Sequence, residues 1–297
     1  MRALAKPQPL SLTNTLRKRY KKTVWISLRF FKKEITISTL QGVFTLPAGS
    51  KDPISKSLYV NKNYEFGFFQ KVTAFLQEAG YFKKGEGVMV DVGANNGVIS
   101  IGALNAGEVE SAVAIEPDIN NFAALERNIK QNQLEDAFQT LNYAVSDSES
   151  VLQLEISTSN LGDHRIHKKT SVKDLFKESK RAVVDIKSNT LDNLLNEVDP
   201  KTISFIWIDV QGHEGYVFQG APKILSEGIP VISEVWPYGL KRSGMTNQQF
   251  CEIVEKYWSH YWVLRKNDFV QYPIEQFNGF LDELGEKGDF DNVIFTA

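Results

Sequence analysis

Three carboxylates follow short apolar runs, where their side chains could bind a ligand. Asp91 lies in "VMVDVGANNGVIS", Glu116 in "AIEPD" and Asp209 in "SFIWIDV". Runs of this kind predict buried strands of a parallel sheet. Because ligands bind beyond the carboxyl ends of such strands, the three carboxylates are expected to line one cleft. The alternative for Asp91 and Glu116, as for Asp147 further along the chain, is that each caps a helix.

The loop after Asp91 consists of Gly93, Ala94, Asn95, Asn96 and Gly97. Its glycines permit positive φ and a close approach of the backbone to a ligand, and the next helix points free N–H groups at the same place. A dinucleotide site would instead have the spacing G-x-G-x-x-G and would bind a pyrophosphate, which Asp91 would repel. The loop therefore argues against NAD and favours a ligand with a positively charged end, such as an amino-acid ammonium group.

The second and third predicted strands complete this ligand site. Glu116 lies 23 residues after Gly93, close to the spacing at which a carboxylate binds the two hydroxyls of a ribose. The segment "NYAVSD" would cover an adenine ring with Tyr143, Ala144 and Val145. A ligand with an ammonium end, a ribose and an adenine is S-adenosylmethionine, which the sequence predicts as the cofactor.

The wider pattern predicts an α/β chain with a parallel sheet and helices on both faces. Apolar runs predict strands at 88–92, 111–116, 138–145, 203–209 and 229–235, with a last short strand in "DNVIFTA". Helical spacing predicts helices at 66–80, 97–106, 118–132, 213–226 and 246–257. Residues 150–190 interrupt the alternation with two strand-like runs around a polar segment. We interpret them as an insertion whose polar part is a flexible loop or lid.

The first 62 residues are predicted to form an extension to a main domain at residues 63–297. Residues 1–33 contain ten Lys or Arg and no acid, whereas the rest of the chain has 24 basic and 36 acidic residues. The segment "LRKRYKKTVWISLRFFKK" mixes basic and aromatic residues, as in a segment that binds a membrane surface or a polyanion. The alternative is a solvated helix and a first strand. Residues 1–15 predict a loose end, and "ITISTLQGVFTL" predicts a hairpin at 35–46.

The composition predicts an ordinary globular protein, with 42% hydrophobic and 24% charged residues. We find no apolar run of the ~18 residues that span a bilayer and no secretory signal. Cys251 is the single cysteine and lies in a helical pattern, so we expect a small core residue in a reducing compartment. The predicted location is the cytoplasm, with peripheral membrane contact left open.

Several motifs resemble the FkbM family of S-adenosylmethionine-dependent methyltransferases. They are "VDVGANNGVIS", "AIEPD", "NYAVSD", "TLDNLL" and "FIWIDVQGHEGYVFQGAPKIL". The resemblance runs from about Tyr64 to Val235, and it includes "NKNYEFGFF". It implies a Rossmann-like class I methyltransferase fold, with a mostly parallel seven-stranded sheet whose last strand is antiparallel. It also implies O-methylation, often of sugars. The expected cofactor-binding residues are Tyr64, Glu65, Asp91, Gly93, Ala94, Asn95, Asn96, Gly97, Glu116, Pro117, Ala144, Val145 and Asp209.

Methyl transfer to an alcohol needs an oxygen held in line with the methyl group and a group that takes the proton. The candidates at the sheet edge are Asp209, His213 and Glu234. The pKa range of histidine suits a base at neutral pH, although His213 could simply cap or pack its helix. Asp209 and Glu234 could share a divalent cation such as Mg²⁺, or Asp209 could orient a ligand without metal. Glu214 is expected to cap its helix or hold a nearby loop.

Two further pairs of residues have competing interpretations. His164 and His167 could bind zinc, but no cysteine or third histidine is near them in sequence, so we expect them in a polar lid. Trp236 and Tyr238 could form an aromatic platform for a sugar ring, or they could pack at the rim.

The predicted function is S-adenosylmethionine-dependent O-methylation of a hydroxyl of a carbohydrate, glycan or glycosylated natural product. One alternative keeps the fold and methylates a nitrogen or a carboxyl of a small metabolite. Another is a non-catalytic module that binds a glycan or a partner. A nucleic-acid acceptor is not expected, because "DVQG" after the fourth strand differs from the Asn-Pro-Pro-Tyr type of motif. The sequence does not define the oligomeric state.

Overall fold

The computed structural model describes residues 12–297. The loose end was predicted at residues 1–15, and residues 1–11 of it lie outside the described residues. The strands are β1 (Glu34–Ser38), β2 (Val43–Pro47), β3 (Val88–Val92), β4 (Ser111–Ile115), β5 (Phe138–Leu141), β6 (Ala144–Val145), β7 (Ser150–Ile156), β8 (Arg165–Ile166), β9 (Ala182–Asn189), β10 (Ile203–Ile208), β11 (Val231–Val235), β12 (His260–Arg265), β13 (Asp268–Pro273) and β14 (Asp291–Thr296).

Helices cover both faces of the sheet, and some of them connect its parallel strands. They are α1 (Leu12–Leu28), α2 (Pro53–Asn61), α3 (Phe66–Glu78), α4 (Val98–Asn105), α5 (Ile119–Gln131), α6 (Leu191–Leu194), α7 (Glu214–Gln219), α8 (Pro222–Leu225), α9 (Pro237–Arg242), α10 (Asn247–Tyr257) and α11 (Phe277–Leu284).

The central sheet has eight strands in the order β13-β12-β14-β11-β10-β3-β4-β5. Strands β11, β10, β3, β4 and β5 run parallel, and β14 is antiparallel to β11 and β12. The predicted Rossmann-like sheet with an antiparallel last strand is therefore confirmed. The predicted count of seven strands is wrong, because β12 and β13 form a hairpin that adds an eighth strand at the edge.

The sheet separates two hydrophobic cores. All six residues of β10 are buried, and successive side chains of a strand point to opposite faces. Ile206 and Ile208 belong to the core under α7, α8, α10 and α11, together with Phe218 and other buried residues. Phe205 and Trp207 belong to the core under α3, α4 and α5. A central strand buried on both faces explains the apolar run that precedes Asp209.

The N-terminal extension packs against the second of these cores. The predicted hairpin is confirmed as β1 paired with β2, and Phe44 is fully buried in the same core as α3 and α5. Side chains of α5 complete the hydrogen bonds of β2, since Asn132 Oδ1 accepts from the Val43 backbone N–H at 2.9 Å and Asn128 Oδ1 accepts from the Thr45 N–H at 3.1 Å. The extension therefore shares its buried surface with the main domain.

One predicted strand and one predicted helix are each divided into two shorter elements in the structure. The predicted strand 138–145 divides into β5 and β6, and β6 joins a second sheet in the order β6-β9-β7-β8. The predicted helix 213–226 divides into α7 and α8 at Gly220, where a Cβ atom would lie 2.0 Å from the Ser146 carbonyl oxygen. The two strand-like runs of the insertion are confirmed as β7 and β9, which pair antiparallel.

Candidate functional site

A cavity of about 280 Å³ lies at the carboxyl ends of β3, β4, β10 and β11. Small-molecule sites usually enclose about 300–1,000 Å³, so this cavity lies just below that range. Parallel strands place their carboxyl ends together, which is why distant acidic residues meet here. The carboxylates in its wall are those of Glu65, Asp91, Glu116, Asp163, Asp209 and Glu234.

The loop after β3 is shaped by a very close contact with the end of β10. Gly93 has φ of +87°, and a Cβ atom there would lie 2.0 Å from the Asp209 carbonyl oxygen. The backbone N–H groups of Gly93 and Ala94 both donate to the Ile115 carbonyl, at 2.9 and 3.0 Å. These bonds fix the start of the loop against the end of β4. Only glycine satisfies both the conformation and the contact at position 93.

Asp91 is a buried carboxylate directly beneath this loop. Its side chain is 2% exposed. Among the described residues, Oδ2 of Asp91 has no hydrogen-bond partner. Burial raises the pKa of Asp91 to about 7, because the charged form loses its hydration. A cationic ligand group at Asp91 would satisfy the free oxygen and favour the ionised form.

Glu116 is held at the end of β4 by two backbone N–H groups. Its Oε2 accepts from Asn95 and its Oε1 accepts from Asp118, each at 2.9 Å. Burial raises its pKa to about 8, and these hydrogen bonds act in the opposite direction. Asn95 adopts φ of +52°, which turns its N–H toward the carboxylate. The first-strand loop and the second-strand carboxylate therefore form one structural unit.

The carboxylates at the ends of β10 and β11 are joined by an amide. Gln211 Nε2 donates to Asp209 Oδ1 at 2.7 Å and to Glu234 Oε1 at 3.1 Å. Burial raises the pKa of Asp209. Burial and then the charge of Asp209 raise the pKa of Glu234 well above its usual value. The pair therefore binds protons more readily than exposed carboxylates do.

Glu214 holds the loop between β10 and α7. Its Oε1 accepts from the backbone N–H groups of Val210 and Gly212, at 3.2 and 3.1 Å. The side chain is fully buried, and burial raises its pKa to about 7. The loop it holds includes Gln211, which has φ of +55°. Glu214 thus fixes the amide that joins Asp209 and Glu234, in agreement with its expected role of holding a nearby loop.

His213 lines the cavity wall on the side of the "NYAVSD" segment. Its Nε2 lies 3.0 Å from Ser146 Oγ, and its ring stacks on Tyr216 with a centroid separation of 4.5 Å. Burial lowers the pKa of His213 to about 3. The imidazole is therefore neutral over the physiological range and is a weak base.

The sequence of this region identifies the protein's family. Residues 91–288, about two thirds of the chain, match the model of the methyltransferase FkbM domain. The chain belongs to the FkbM methyltransferase domain family. The match begins later than the expected Tyr64 and continues past Val235, so it includes the hairpin β12–β13 and helix α11.

Solved structures with similar folds are distant in sequence. Methyltransferase FkbM from Methylobacillus flagellatus KT is 14% identical, with a TM-score of 0.43, covering 95% of this chain and 59% of that chain. The tRNA m1G37 methyltransferase of M. jannaschii is 13% identical, with a TM-score of 0.43, covering 90% of this chain and 57% of that one. TYW2 of P. horikoshii, in complex with MeSAdo, is 13% identical, with a TM-score of 0.41; the match covers 89% of this chain and 70% of that chain. No curated protein matches the sequence.

The FkbM family assignment implies S-adenosylmethionine, and the residues present fit that cofactor. Gly93, Ala94 and Asn95 of the first-strand loop line the cavity. The free oxygen of Asp91 suits an ammonium group, and the fixed carboxylate of Glu116 suits ribose hydroxyls. Ala144 and Val145 form an apolar wall beside Tyr143, as an adenine ring requires.

Most of the predicted site residues of this FkbM domain line the cavity. Asn96 and Gly97 do not, because Asn96 accepts a hydrogen bond from Asn128 through its carbonyl and Gly97 packs against Leu125. The residues in the wall are Tyr64, Glu65, Asp91, Gly93, Ala94, Asn95, Glu116, Pro117, Ala144, Val145, Asp209, His213 and Glu234.

Tyr64 and Glu65 approach the cavity from the start of α3. Glu65 adopts φ of +54° and faces the cavity, where it is still open to solvent. Withdrawal from bulk water and the charge of Asp209 raise its pKa to about 7. Burial also raises the pKa of Tyr64, so its phenol remains protonated. Gln41 fixes this segment, since its side chain accepts from the Tyr64 N–H at 2.8 Å.

The insertion covers the cavity with a network of ion pairs that sequence reasoning missed. Arg165 contacts Asp163 and Glu178, each at 2.5 Å, and its guanidinium lies 4.4 Å from the Trp236 ring centroid. Arg181 also contacts Asp163, at 2.5 Å. The only signal in the sequence is the alternation of acidic and basic residues, which is common on exposed loops. The polar segment is therefore partly structured in the covering position.

Three hydrogen bonds of the Leu161 backbone help attach this insertion to the rest of the domain. The Leu161 carbonyl accepts from Asn95 Nδ2 at 2.9 Å and from Asn121 Nδ2 at 3.0 Å. The Leu161 N–H donates to Asp52 Oδ1 at 3.0 Å. Asn95 is the central residue of the first-strand loop, so the position of the insertion and that of the loop are coupled.

The arrangement does not support either of the metal sites that the sequence left open. Within residues 12–297, no group of three or more His, Cys, Asp or Glu side chains is placed to hold a metal ion. His164 accepts from the Ser157 N–H at 3.0 Å, whereas His167 pairs with Glu155 at 2.9 Å. The two histidines therefore have separate structural partners.

Trp236 and Tyr238 pack into the protein and are not an open platform. Trp236 is 4% exposed, and its Nε1 donates to the Gly288 carbonyl at 3.1 Å. Tyr238 is 2% exposed, and its hydroxyl donates to Glu178 Oε1 at 2.6 Å. Their function is to hold the ion-pair network of the insertion. Cys251 is buried in α10, as expected.

Proposed function

We propose that the protein transfers a methyl group from S-adenosylmethionine to a hydroxyl of a carbohydrate, glycan or glycosylated natural product. The cofactor supplies an electrophilic methyl group when bound. The family assignment supports the reaction type, and the pair formed by Asp209 and Glu234 supports an alcohol acceptor. That pair is the observation on which the proposal rests.

The cofactor would be held by the first two strand ends. Asp91 and the loop at Gly93 would bind the amino-acid end, and Glu116 would bind the ribose. The loop and Glu116 are already fixed by the backbone contacts described above, so their binding to the cofactor requires little reorganisation. The neutral His213 would position Ser146 and the adenine wall rather than take a proton.

The acceptor would bind beside Asp209 and Glu234. Carboxylates accept hydrogen bonds from sugar hydroxyls, and an ionised Asp209 could orient one hydroxyl toward the methyl group. In the transfer, the C–S bond breaks as the C–O bond forms, and the hydroxyl proton passes to a carboxylate. Because burial raises the pKa of both carboxyls, they take up this proton more readily than exposed carboxylates.

A labelled-cofactor assay with a panel of glycan acceptors tests the proposal. Transfer of label to a carbohydrate hydroxyl is expected, and transfer only to amine or carboxyl acceptors would contradict it. Asp209→Asn keeps the shape and removes the charge, so turnover should fall about 10²-fold or more with nearly unchanged cofactor affinity.

Asp147→Asn is the matched control, because Asp147 is an exposed carboxylate near the same cleft. Its turnover should equal that of the wild type. If Asp209→Asn transfers the methyl group at the wild-type rate with a verified acceptor, the carboxylate does not contribute to the chemical step. Calorimetry of cofactor binding to each variant separates failure of catalysis from failure of cofactor binding.

A further inference from the structure

Helix α1 presents an apolar face to solvent. Its other side is anchored, since Trp25 is 1% exposed and its Nε1 donates to the Ser50 carbonyl at 2.9 Å. On the outer side, Leu16, Tyr20 and Ile26 are 60%, 71% and 51% exposed. Their spacing places Leu16 and Tyr20 on the side of the helix opposite Trp25, and Ile26 at the edge of that side. This face therefore has no partner within the described residues.

Two phenylalanines extend this face beyond the end of α1. Phe30 is 70% exposed and Phe31 is 82% exposed. Their backbone is ordered, because the Phe30 N–H donates to the Ser27 carbonyl at 3.1 Å and the Phe31 N–H donates to the Leu28 carbonyl at 2.9 Å. Five large exposed apolar side chains on one ordered segment indicate an interaction surface.

The same segment is strongly basic. Residues 12–33 contain no Asp or Glu, and the exposed basic residues around the apolar face include Arg17, Lys18, Arg19, Lys22 and Arg29. A second copy of this face would bring like charges together, which opposes self-association. An anionic partner complements the face, and the net negative charge of the remaining chain favours a single orientation toward it.

We infer that α1 and the turn after it bind the surface of an anionic phospholipid bilayer. Aliphatic and aromatic side chains enter the boundary between headgroups and acyl chains, and lysine and arginine attract anionic headgroups. A nucleic acid would use the cations and the aromatic rings, but it would leave Leu16 and Ile26 without a function. Within residues 12–297, no helix is long and apolar enough to cross a membrane, so the contact would be with the bilayer surface.

Sedimentation of the full chain with lipid vesicles tests this inference. Vesicles of phosphatidylcholine with phosphatidylserine should bind the protein at least about tenfold more tightly than vesicles of phosphatidylcholine alone. High salt should weaken this binding, because the basic residues are exposed and screened. Equal or undetectable binding to both kinds of vesicle would overturn the inference.

Two double variants locate the surface. Phe30→Ser with Phe31→Ser removes apolar contact, and Lys18→Glu with Lys22→Glu reverses charge. Each should weaken binding to the anionic vesicles at least about tenfold. All four side chains are exposed, so the thermal unfolding midpoints should stay at the wild-type value.

Lys201→Glu with Lys223→Glu is the matched control, since both lysines are exposed and the charge change is the same. It should bind vesicles like the wild type, and equal weakening in this control would overturn the inference. The inference would also be overturned if the protein bound a single-stranded RNA more tightly than the anionic vesicles and the phenylalanine variant bound that RNA as tightly as the wild type. A wild-type dimer that the phenylalanine variant converts to a monomer, seen by light scattering, would assign the face to self-association instead.

Discussion

Replacement of Gly93 by alanine should damage both stability and methyl transfer. The added Cβ atom would lie 2.0 Å from the carbonyl oxygen of Asp209 and 2.9 Å from its carbonyl carbon. Ordinary non-bonded contacts between heavy atoms are about 3.5–4.0 Å. Either the first-strand loop or the end of β10 must therefore move by more than about 1 Å.

The expected loss of stability comes from the positive φ and from the steric contact, and a control variant at Gly107 separates these two contributions. Positive φ costs a residue with a Cβ atom about 1–2 kcal/mol, and the contact with a neighbouring backbone adds about 1–3 kcal/mol. Gly107 has φ of +64° and no atom within 4 Å of a Cβ atom placed there. Gly107→Ala should therefore show the first part alone, and Gly93→Ala should exceed it by the second.

Urea unfolding of the two variants measures this difference, and calorimetry measures their affinity for S-adenosylmethionine. A displacement of about 1 Å at Asp209 should also lower turnover about 10²-fold, even in molecules that remain folded. Equal unfolding free energies for the two variants, together with wild-type cofactor affinity for Gly93→Ala, would refute the close contact.

Three other outcomes follow from the site. Glu116→Ala should weaken cofactor binding by about 1.5 kcal/mol or more, measured by calorimetry, and an unchanged dissociation constant would contradict the ribose role. Burial raises the pKa of Asp91 and Glu214 to about 7 and of Glu116 to about 8, so the folded state binds more protons than the unfolded state. The unfolding free energy of the ligand-free protein should therefore fall between about pH 5 and 8, on the order of 1 kcal/mol per pH unit for each of the three groups. Asp91→Asn should make this fall less steep, and equal slopes in both proteins would contradict the raised pKa of Asp91. In the ligand-free protein, the amide hydrogens of residues 158–180 should exchange faster than those of β10, and their exchange should become slower when cofactor and acceptor bind. If these residues are as protected as β10 in the free protein, they do not form a mobile lid.

The parts of the fold that were predictable have strong local signals. Strand β10 is buried on both faces, so its sequence is an uninterrupted apolar run that ends at Asp209. Helix α5 begins at Asp118, whose side chain accepts from the backbone N–H groups of Asn120 and Asn121. Such features depend on residues that are neighbours in the sequence. Asp91 and Glu116 were predictable for the same reason, since each lies in or directly after a short apolar strand.

The missed parts depend on residues that meet only in the folded chain. The hairpin β12–β13 turns at Lys266 and Asn267, which lack the glycine typical of tight turns. Gln211 joins Asp209 to Glu234 because Glu214 holds the loop in a left-handed conformation, and no spacing rule indicates this. The ion pairs of Arg165 could not be predicted either. Its partners Asp163 and Glu178 lie on opposite sides of it in the sequence, and no spacing rule selects them.

A single carboxylate connects the extension to the cover of the site. Asp52 Oδ2 accepts from the Ser55 N–H at 2.8 Å and caps helix α2, while Oδ1 accepts from Leu161 at 3.0 Å. Opening the insertion would break one of the two hydrogen bonds that hold Asp52, the residue that caps the helix packed against α1. Linkage of this kind is reciprocal: a ligand that closes the insertion must protect the extension from proteolysis, and whatever holds the extension in place must tighten that ligand's binding by the same factor.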